Sequence, residues 1–244
     1  MERDEFLHLC QRRATRAFHL SQRYPASREV LLFYKSLVSF QERICFQIQD
    51  LESLSDFRLP LVELVYHKGP GVLQELSQHL SEEVFRGAVQ KYWEREDTCS
   101  PISFFARAVL QPYAAVATVQ VSLGDENHCS RCGHLPQVGV LRPQGNGNAF
   151  NLVCSLCLHE WSFSRGLCVA CGEDSITKLA YYSTCGFDYI QIQACESCRT
   201  YLSIVNLEKD PTAVPEADEL TALPLDVWSK QQGYQKQQPN LGGI

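Results

Sequence analysis

Four pairs of cysteines, each with two residues between its members, constrain this chain more than any other feature. The pairs are Cys129 and Cys132, Cys154 and Cys157, Cys168 and Cys171, and Cys195 and Cys198. The third pair repeats the first, and the fourth repeats the second, at an offset of about 40 residues. This internal repeat predicts two similar modules, each built around two pairs.

The spacing within each pair is typical of metal ligands. Two intervening residues let a tight turn direct both thiolates at one ion, and a second turn across a hairpin completes a tetrahedron of sulfurs. We therefore predict that the first pair joins the second and the third joins the fourth. A cross-braced arrangement, first with third and second with fourth, is the alternative. Redox dithiols are a further alternative, but thioredoxin-like chemistry requires a strand and helix context that this region lacks.

The identity of the metal stays open, because iron and zinc both accept four thiolates in a tetrahedron. Two ions of either element are predicted. Zinc would be structural, and the folding of so small a ribbon would depend on it, whereas iron could carry one electron. Gly133 and Gly172 follow the second cysteine of their turns, as in rubredoxin, where a positive φ lets amides face sulfur. Leu158 and Arg199 occupy the equivalent positions, which leaves room for a zinc-ribbon-like site.

The first half of the chain has helical periodicity and no closely spaced cysteines. Apolar residues recur at steps of three, four or seven, and Gly-Pro-Gly at 69–71 and Ser100-Pro101 mark breaks. Five helices are predicted, at about 4–23, 28–51, 59–67, 72–95 and 102–121, followed by a linker at 122–127. The Ser-Pro pair is interpreted as the start of the fifth helix, with serine as its cap.

The fold class predicted from these patterns is α+β. An N-terminal all-helical domain at 1–123 precedes a first rubredoxin-like ribbon at 124–165 and a second at 166–210, and 211–244 forms a short C-terminal helical cap. Each ribbon is expected to contain a hairpin, with strands at about 137–142 and 149–154 in the first and 176–184 and 188–195 in the second.

Charge and motifs narrow the possible functions. The net charge of −6 and pI near 5.7 disfavour a nucleic acid or an anionic membrane surface as the partner. The charged N-terminus lacks a signal-peptide core, and no apolar run approaches the roughly 20 residues needed to span a bilayer. We expect a cytoplasmic protein without membrane insertion. Phosphate loops, H-E-x-x-H and G-x-S-x-G motifs are absent, so we predict that the chain is not an enzyme.

Residues beside the cysteine turns receive ordinary structural interpretations. His128, His134 and His159 are expected to support the sites or lie on the surface, since each ion already has four thiolates. Trp161 is expected to pack on its ribbon and Glu160 to be solvated. Arg165, Arg199 and Tyr201 are expected to form a solvated polar face. Four cysteines stand outside the pairs, at Cys10, Cys45, Cys99 and Cys185. Cys45 is predicted to be core, and only Cys185 is considered for reactivity.

The order of these motifs resembles the FdhE family of formate dehydrogenase accessory proteins. The resembling stretches are Cys-Ser-Arg-Cys-Gly-His-Leu-Pro at 129–136, Cys-Ser-Leu-Cys-Leu-His-Glu-Trp at 154–161, Arg165 with Cys-Val-Ala-Cys-Gly at 168–172, residues 195–211, Ala217-Asp218, Leu225-Asp226 and Gln-Gly-Tyr at 232–234. Gln-Arg-Arg-Ala at 11–14 and Phe-Phe-Ala-Arg-Ala at 104–108 extend the similarity to the helical half.

The resemblance implies a maturation factor. Such proteins are needed for formate dehydrogenase activity, and are expected to bind the catalytic molybdenum or tungsten subunit in the cytoplasm before the enzyme is exported or assembled. Iron at the two four-cysteine sites is also implied. The predicted function is therefore a chaperone-like assembly protein whose partner is the catalytic subunit of formate dehydrogenase. The alternatives are an electron-transfer protein containing iron and, less favoured by charge, a zinc-ribbon protein that binds nucleic acid.

Overall fold

The computed structural model describes residues 1–117, 126–145 and 147–243. Its helical part consists of α1 Arg3–Arg23, α2 Arg28–Ile44, α3 Arg58–Lys68, α4 Gly71–Gln78, α5 Glu82–Trp93 and α6 Ser103–Val116. Helix α6 is buried on almost every side, which is expected of a helix at the centre of a bundle. None of the described helices is both long and apolar enough to cross a bilayer.

The predicted helices are found, with three corrections. Helix α2 ends at Ile44 rather than near residue 51, and the stretch at 72–95 forms two helices because Ser81 starts a new one. The Ser81 hydroxyl accepts a hydrogen bond from the amide of Val84, which caps α5. Ser100 does not cap α6: it lies in the preceding turn, where the Asp97 carboxylate accepts from its amide and its hydroxyl. The predicted end of this helix beyond residue 117 lies outside the described residues.

The second half contains one mixed β-sheet. Its strands are β1 Pro136–Gln144, β2 Gly147–Cys154, β3 Glu160–Ser162, β4 Leu179–Tyr182, β5 Ile190–Cys195, β6 Thr200–Asn206 and β7 Gln235–Lys236. Each repeat contributes three antiparallel strands, in the order β3-β2-β1 and β6-β5-β4. The two predicted hairpins are therefore present, although the turn residue at position 146 lies outside the described residues.

The two ribbons share this sheet instead of standing apart. Strand β1 of the first ribbon pairs in parallel with β6 of the second, so that Val138 lies opposite Ser203 and Leu141 opposite Asn206. A C-terminal segment follows, with α7 Pro215–Asp218 and α8 Leu223–Gln231, and β7 pairs in parallel with the start of β6. Helices, two four-cysteine ribbons and a short C-terminal helix confirm the predicted fold class. The predicted domain boundaries stay predictions, and residues 122–125 of the predicted linker at 122–127 lie outside the described residues.

A chain of buried polar side chains joins the helical half to the sheet and to the C-terminal segment. Arg107 of α6 is only 2% exposed, and its Nε donates to the Ser155 carbonyl at 2.9 Å. Its remaining nitrogens donate to the Pro239 carbonyl and to the Gln137 amide oxygen. The Gln137 amide nitrogen in turn donates to the buried Glu219 carboxylate.

Two further charges complete this buried chain. Lys236 of β7 lies 3.3 Å from the Glu219 carboxylate and 3.3 Å from that of Asp226. Burial alone lowers the pKa of Lys236, but Asp226 and Glu219 more than offset this effect, and the pKa is raised. Lys236 thus pairs with two carboxylates, and Gln137 links one of them, Glu219, to the Arg107 guanidinium. Buried charges persist in a fold when they are paired in this way.

Replacing Arg107 by methionine is expected to lower the free energy of unfolding by about 3 kcal/mol, because the substitution leaves several buried acceptors unpaired. Arg86→Met is the matched control, since Arg86 forms an exposed ion pair with Glu82 four residues earlier. The control should change stability by at most about 0.5 kcal/mol. Urea denaturation followed by circular dichroism measures both, and equal effects would contradict a special role for Arg107.

Candidate metal centres

The eight paired cysteines come together in two groups of four. Cys129, Cys132, Cys154 and Cys157 form the first group, and Cys168, Cys171, Cys195 and Cys198 form the second. Within each group all four sulfurs lie within 4.8 Å of one another. The described residues therefore form the sequential arrangement, with the first pair beside the second and the third beside the fourth, and not the cross-braced one.

The separations between sulfurs fit a tetrahedral ion better than a disulfide. The shortest distances are 3.3 Å between Cys132 and Cys154 and 3.5 Å between Cys129 and Cys157, and the second group has 3.6 and 3.8 Å. Four thiolates about 2.3 Å from one zinc ion would lie about 3.8 Å apart. A disulfide would require about 2.05 Å. All twelve cysteines are unbridged, so the donor set needed for zinc or iron is available in both groups.

The four cysteine turns share one backbone conformation. The residue after the second cysteine has a positive φ in every turn: 75° at Gly133, 59° at Leu158, 73° at Gly172 and 58° at Arg199. This conformation is unfavourable for residues other than glycine, so its occurrence at leucine and arginine indicates that the surroundings enforce it. The rubredoxin-like turn is thus complete at all four places, although the sequence retains glycine at only two.

Side-chain packing accounts for the two exceptions. The Leu158 side chain is buried in the main hydrophobic core. The Arg199 guanidinium lies 4.1 Å from the centre of the Tyr234 ring and donates to the Gln232 carbonyl. Contacts of this kind offset a backbone cost of roughly 1–2 kcal/mol.

The first group is embedded in the core of the helical half. All four cysteines are at most 3% exposed, and they pack in the same cluster as Tyr92, Leu156 and the residues of α6. His134 stacks on Tyr92 with a ring separation of 5.1 Å, and its Nε2 lies 2.8 Å from the Tyr92 carbonyl oxygen. The first site is therefore also part of the contact between helices and sheet.

Helical side chains hold the turns of this first group. The Ser155 carbonyl, between Cys154 and Cys157, accepts from Arg107 at 2.9 Å and from the Gln111 amide at 3.0 Å. Arg95 donates to the Cys132 carbonyl at 3.3 Å. These bonds satisfy turn carbonyls that would otherwise be buried without a donor.

The second group lies where β5 ends and β6 begins, and it is partly open to solvent. Cys168 and Cys195 are buried, Cys198 is half-buried and Cys171 is exposed. Within the described part of the chain, the apolar residues that pack in this cluster are Leu179 and Ala170. A single carboxylate bridges the two turns: Glu173 accepts from the Ser197 hydroxyl at 2.5 Å and from Lys178 Nζ at 2.9 Å.

The charge of four thiolates is the main electrostatic problem of such sites. Burial, reinforced by the three neighbouring sulfurs, raises the pKa of the Cys154 thiol well above its ordinary value. Four buried thiolates need a cation, which supplies the compensating charge and displaces the protons. At the second group, hydrogen bonds from Ser197 and Lys178 lower the pKa of Glu173 to about 2, which keeps the bridging carboxylate charged.

Several neighbouring residues differ from their predicted surroundings. Glu160 is not simply solvated: it forms an ion pair with Arg142 at 2.5 Å and accepts from the Asn151 amide at 2.6 Å. Trp161 packs on its ribbon as expected, and its Nε1 donates to the Glu126 carbonyl at 2.9 Å. Tyr201 is buried rather than solvated, because its hydroxyl donates to Asp226 at 2.7 Å.

The remaining cysteines and histidines lie outside the ligand groups. Cys10 and Cys45 are buried, as expected of small apolar residues, and Cys99 and Cys185 are exposed. His134 is buried, and burial lowers its pKa. His159 stacks on Trp161 with a ring separation of 6.5 Å. None of these side chains belongs to the two groups of possible ligands found among the described residues.

Sequence reasoning missed the residues that support the turns. Arg107, Gln111 and Glu173 carry no motif of their own. The available signal was a charged residue within the otherwise apolar Phe-Phe-Ala-Arg-Ala-Val-Leu stretch at 104–110. A buried charge of this kind requires partners, so it could have indicated a contact between α6 and another part of the chain.

The known proteins that are similar to this chain in sequence or structure are described as FdhE proteins or FdhE homologs. The family model described as "FdhE, C-terminal domain" matches residues 167–242. An FdhE homolog from Aquifex aeolicus (strain VF5) is 27% identical over 259 aligned positions, which cover 92% of this chain and 92% of the relative. An FdhE homolog from Stutzerimonas stutzeri (strain A1501) is 39% identical over 119 positions, covering 48% of this chain and 38% of that protein.

A solved structure has the same fold. The crystal structure of the FdhE protein from Pseudomonas aeruginosa matches with a TM-score of 0.72 and 24% identity, covering 99% of this chain and 96% of that one. The sequence matches extend over both halves of the chain, and the family model covers the second cysteine group and the C-terminal segment. Nearly the whole chain is therefore similar to FdhE homologs, and residues 167–242 match the FdhE C-terminal domain, in agreement with the motifs that the sequence shares with that family.

Proposed function

We propose that this chain is a cytoplasmic accessory protein for formate dehydrogenase that binds the immature catalytic subunit and assists its maturation. The observation that carries the proposal is the presence of two complete four-cysteine groups, on a chain that is similar to FdhE homologs over nearly its whole length. The eight cysteines are the proposed ligands of two metal ions.

The metal ions are proposed to organise the binding surface. Each ion joins two turns from different parts of its ribbon, and the first group also contacts the helical half. Ligand thiolates become available as the ribbon folds, so metal binding and folding are coupled. A chain without metal would lose the relative positions of its turns, and with them the surface offered to the catalytic subunit.

The partner class follows from charge as well as from the similarity to FdhE homologs. A net charge of −6 leaves little attraction for nucleic acid, which supports a protein partner over the zinc-ribbon alternative. No enzymatic role is proposed. Electron transfer through iron is the second candidate function, and the exposure of Cys171 favours it, because an exposed ligand sulfur brings the ion close to a redox partner.

Metal analysis of the anaerobically purified protein tests the ligand assignment. We expect iron and zinc together to total two ions per chain, matching the two cysteine groups. Cys132→Ala should lose one ion, because three thiolates cannot complete the first tetrahedron, whereas Cys99→Ala should keep both. A colour that bleaches reversibly with dithionite would support redox-active iron, and colourless protein with two zinc ions would support a scaffold. Unchanged metal content in Cys132→Ala would refute the assignment.

Partner binding needs a separate test. We expect the tagged chain to co-purify with the catalytic subunit of formate dehydrogenase that lacks its molybdenum or tungsten cofactor. Cys132→Ala and Cys171→Ala should abolish both co-purification and recovery of enzyme activity in cells that lack this gene, and Cys99→Ala should behave as wild type. Full recovery of activity by a variant that binds no metal would show that the metal sites are not needed for maturation.

A further inference from the structure

The two cysteine groups have the same backbone turns but differ in how far their cysteines are exposed to solvent. In the first group, Cys129, Cys154 and Cys157 are 0% exposed. In the second group, Cys171 is exposed and Cys198 is half-buried. The repeat thus places identical donor sets in two environments, one closed and one open.

Access to the first group requires the helical half to separate from the sheet. The Ser155 carbonyl receives hydrogen bonds from Arg107 and Gln111, and His134 stacks on Tyr92. An incoming molecule that approaches these sulfurs must break several buried contacts together. Openings of that size are rare events in a folded protein.

Access to the second group requires no such opening. Gly172 and Lys178, near Cys171 in sequence, are exposed, and so is Ser197 beside Cys198. The apolar cover consists of Leu179 and Ala170 on the inner side. A small molecule can therefore reach the ligand sulfur of Cys171 from solvent.

We propose that the second group holds a readily exchangeable metal ion, whereas the first group exchanges its ion much more slowly. This inference rests on the metal binding of the proposed function. In the exchange step, an incoming thiolate or nitrogen ligand forms a bond to the ion while the bond from Cys171 Sγ breaks. The released thiolate takes a proton from water, and the oxidation state of the metal does not change.

Glu173 controls how readily this exchange begins. Its carboxylate joins the turn of Cys171 to Ser197, which lies beside Cys198, and it also binds Lys178. Glu173 is thus a positioning residue that keeps the two exposed-side turns together. The first group has no equivalent carboxylate among the contacts described; helical side chains hold its turns instead.

Zinc release from the full chain tests the proposal. The protein carries Cys99→Ser and Cys185→Ser, which remove the exposed cysteines outside the groups, and is loaded with zinc because zinc has no redox chemistry. A coloured chelator, 4-(2-pyridylazo)resorcinol, follows release, and iodoacetamide with mass spectrometry identifies the cysteines that become free. We expect one zinc ion to leave at least about tenfold faster than the other, because the first site must open locally. Alkylation of Cys171 and its three group partners should accompany the fast phase.

The outcomes separate this inference from the proposed function. Release of both ions in one phase, or alkylation of Cys129 before Cys171, would overturn the inference and leave metal binding intact. A chain that binds no zinc or iron would overturn the proposed metal sites themselves.

A substitution that leaves all eight cysteines in place gives a second test. Glu173→Gln should accelerate the fast phase by about tenfold without changing the slow one, as is typical when a residue supporting a ligand is lost. Glu82→Gln, an exposed change on α5, should change neither phase. An unchanged fast phase in Glu173→Gln would show that this carboxylate does not control exchange.

Discussion

The buried guanidinium of Arg107 is the contact on which the arrangement of this molecule depends. It lies on the central helix α6 and donates to the first cysteine group, to β1 and to the C-terminal segment. A cation in this position has no water to solvate it, so each acceptor must be held in place by its own part of the chain. Gln137, Glu219, Lys236 and Asp226 continue the pairing to the opposite end of the C-terminal segment. Misplacement of any one segment would leave a charge unpaired.

The same cysteine turn occurs in two different environments. Its backbone conformation is shared by all four turns, whereas the residues that shield its sulfurs from solvent come from other parts of the chain. All four turns have a residue with positive φ after the second cysteine, whether that residue is glycine, leucine or arginine. What differs is the neighbour: helices cover the first group, and solvent reaches part of the second. The two modules therefore present the same donor set in different surroundings, one closed by helices and the other partly open to solvent.

The sequence predicted the elements that depend on local patterns and missed the contacts that depend on distant ones. Cysteine spacing was sufficient to predict both four-cysteine groups, and strand-like runs on either side of turn residues predicted their hairpins, because a turn and its neighbouring strands lie close in sequence. Periodicity and breakers also predicted where most helices of the first half lie, but not the early end of α2 or the division of 72–95 into α4 and α5. The parallel pairing of β1 with β6 was not, since residues 138 and 203 share no pattern that indicates their contact. Strand β7 has only two residues, too few for a recognisable alternation. The positive φ at Leu158 and Arg199 could not be predicted for a similar reason. Core packing stabilises it at Leu158 and the stack on Tyr234 stabilises it at Arg199, and neither contact can be recognised from the local sequence.

The contact between Arg107 and Pro239 has a consequence for synthesis of the chain. The acceptor carbonyl lies 132 residues after the arginine, so α6 leaves the ribosome long before its partner does. During this interval the Arg107 guanidinium lacks its acceptors, because Gln137, Ser155 and Pro239 all follow it in the chain. A truncated product that ends before β7 would lack the Pro239 carbonyl and Lys236, so one Arg107 donor would have no acceptor and the Glu219 and Asp226 carboxylates would have lost their cation. We therefore expect such a product to be less stable than the full chain and more readily degraded by proteases.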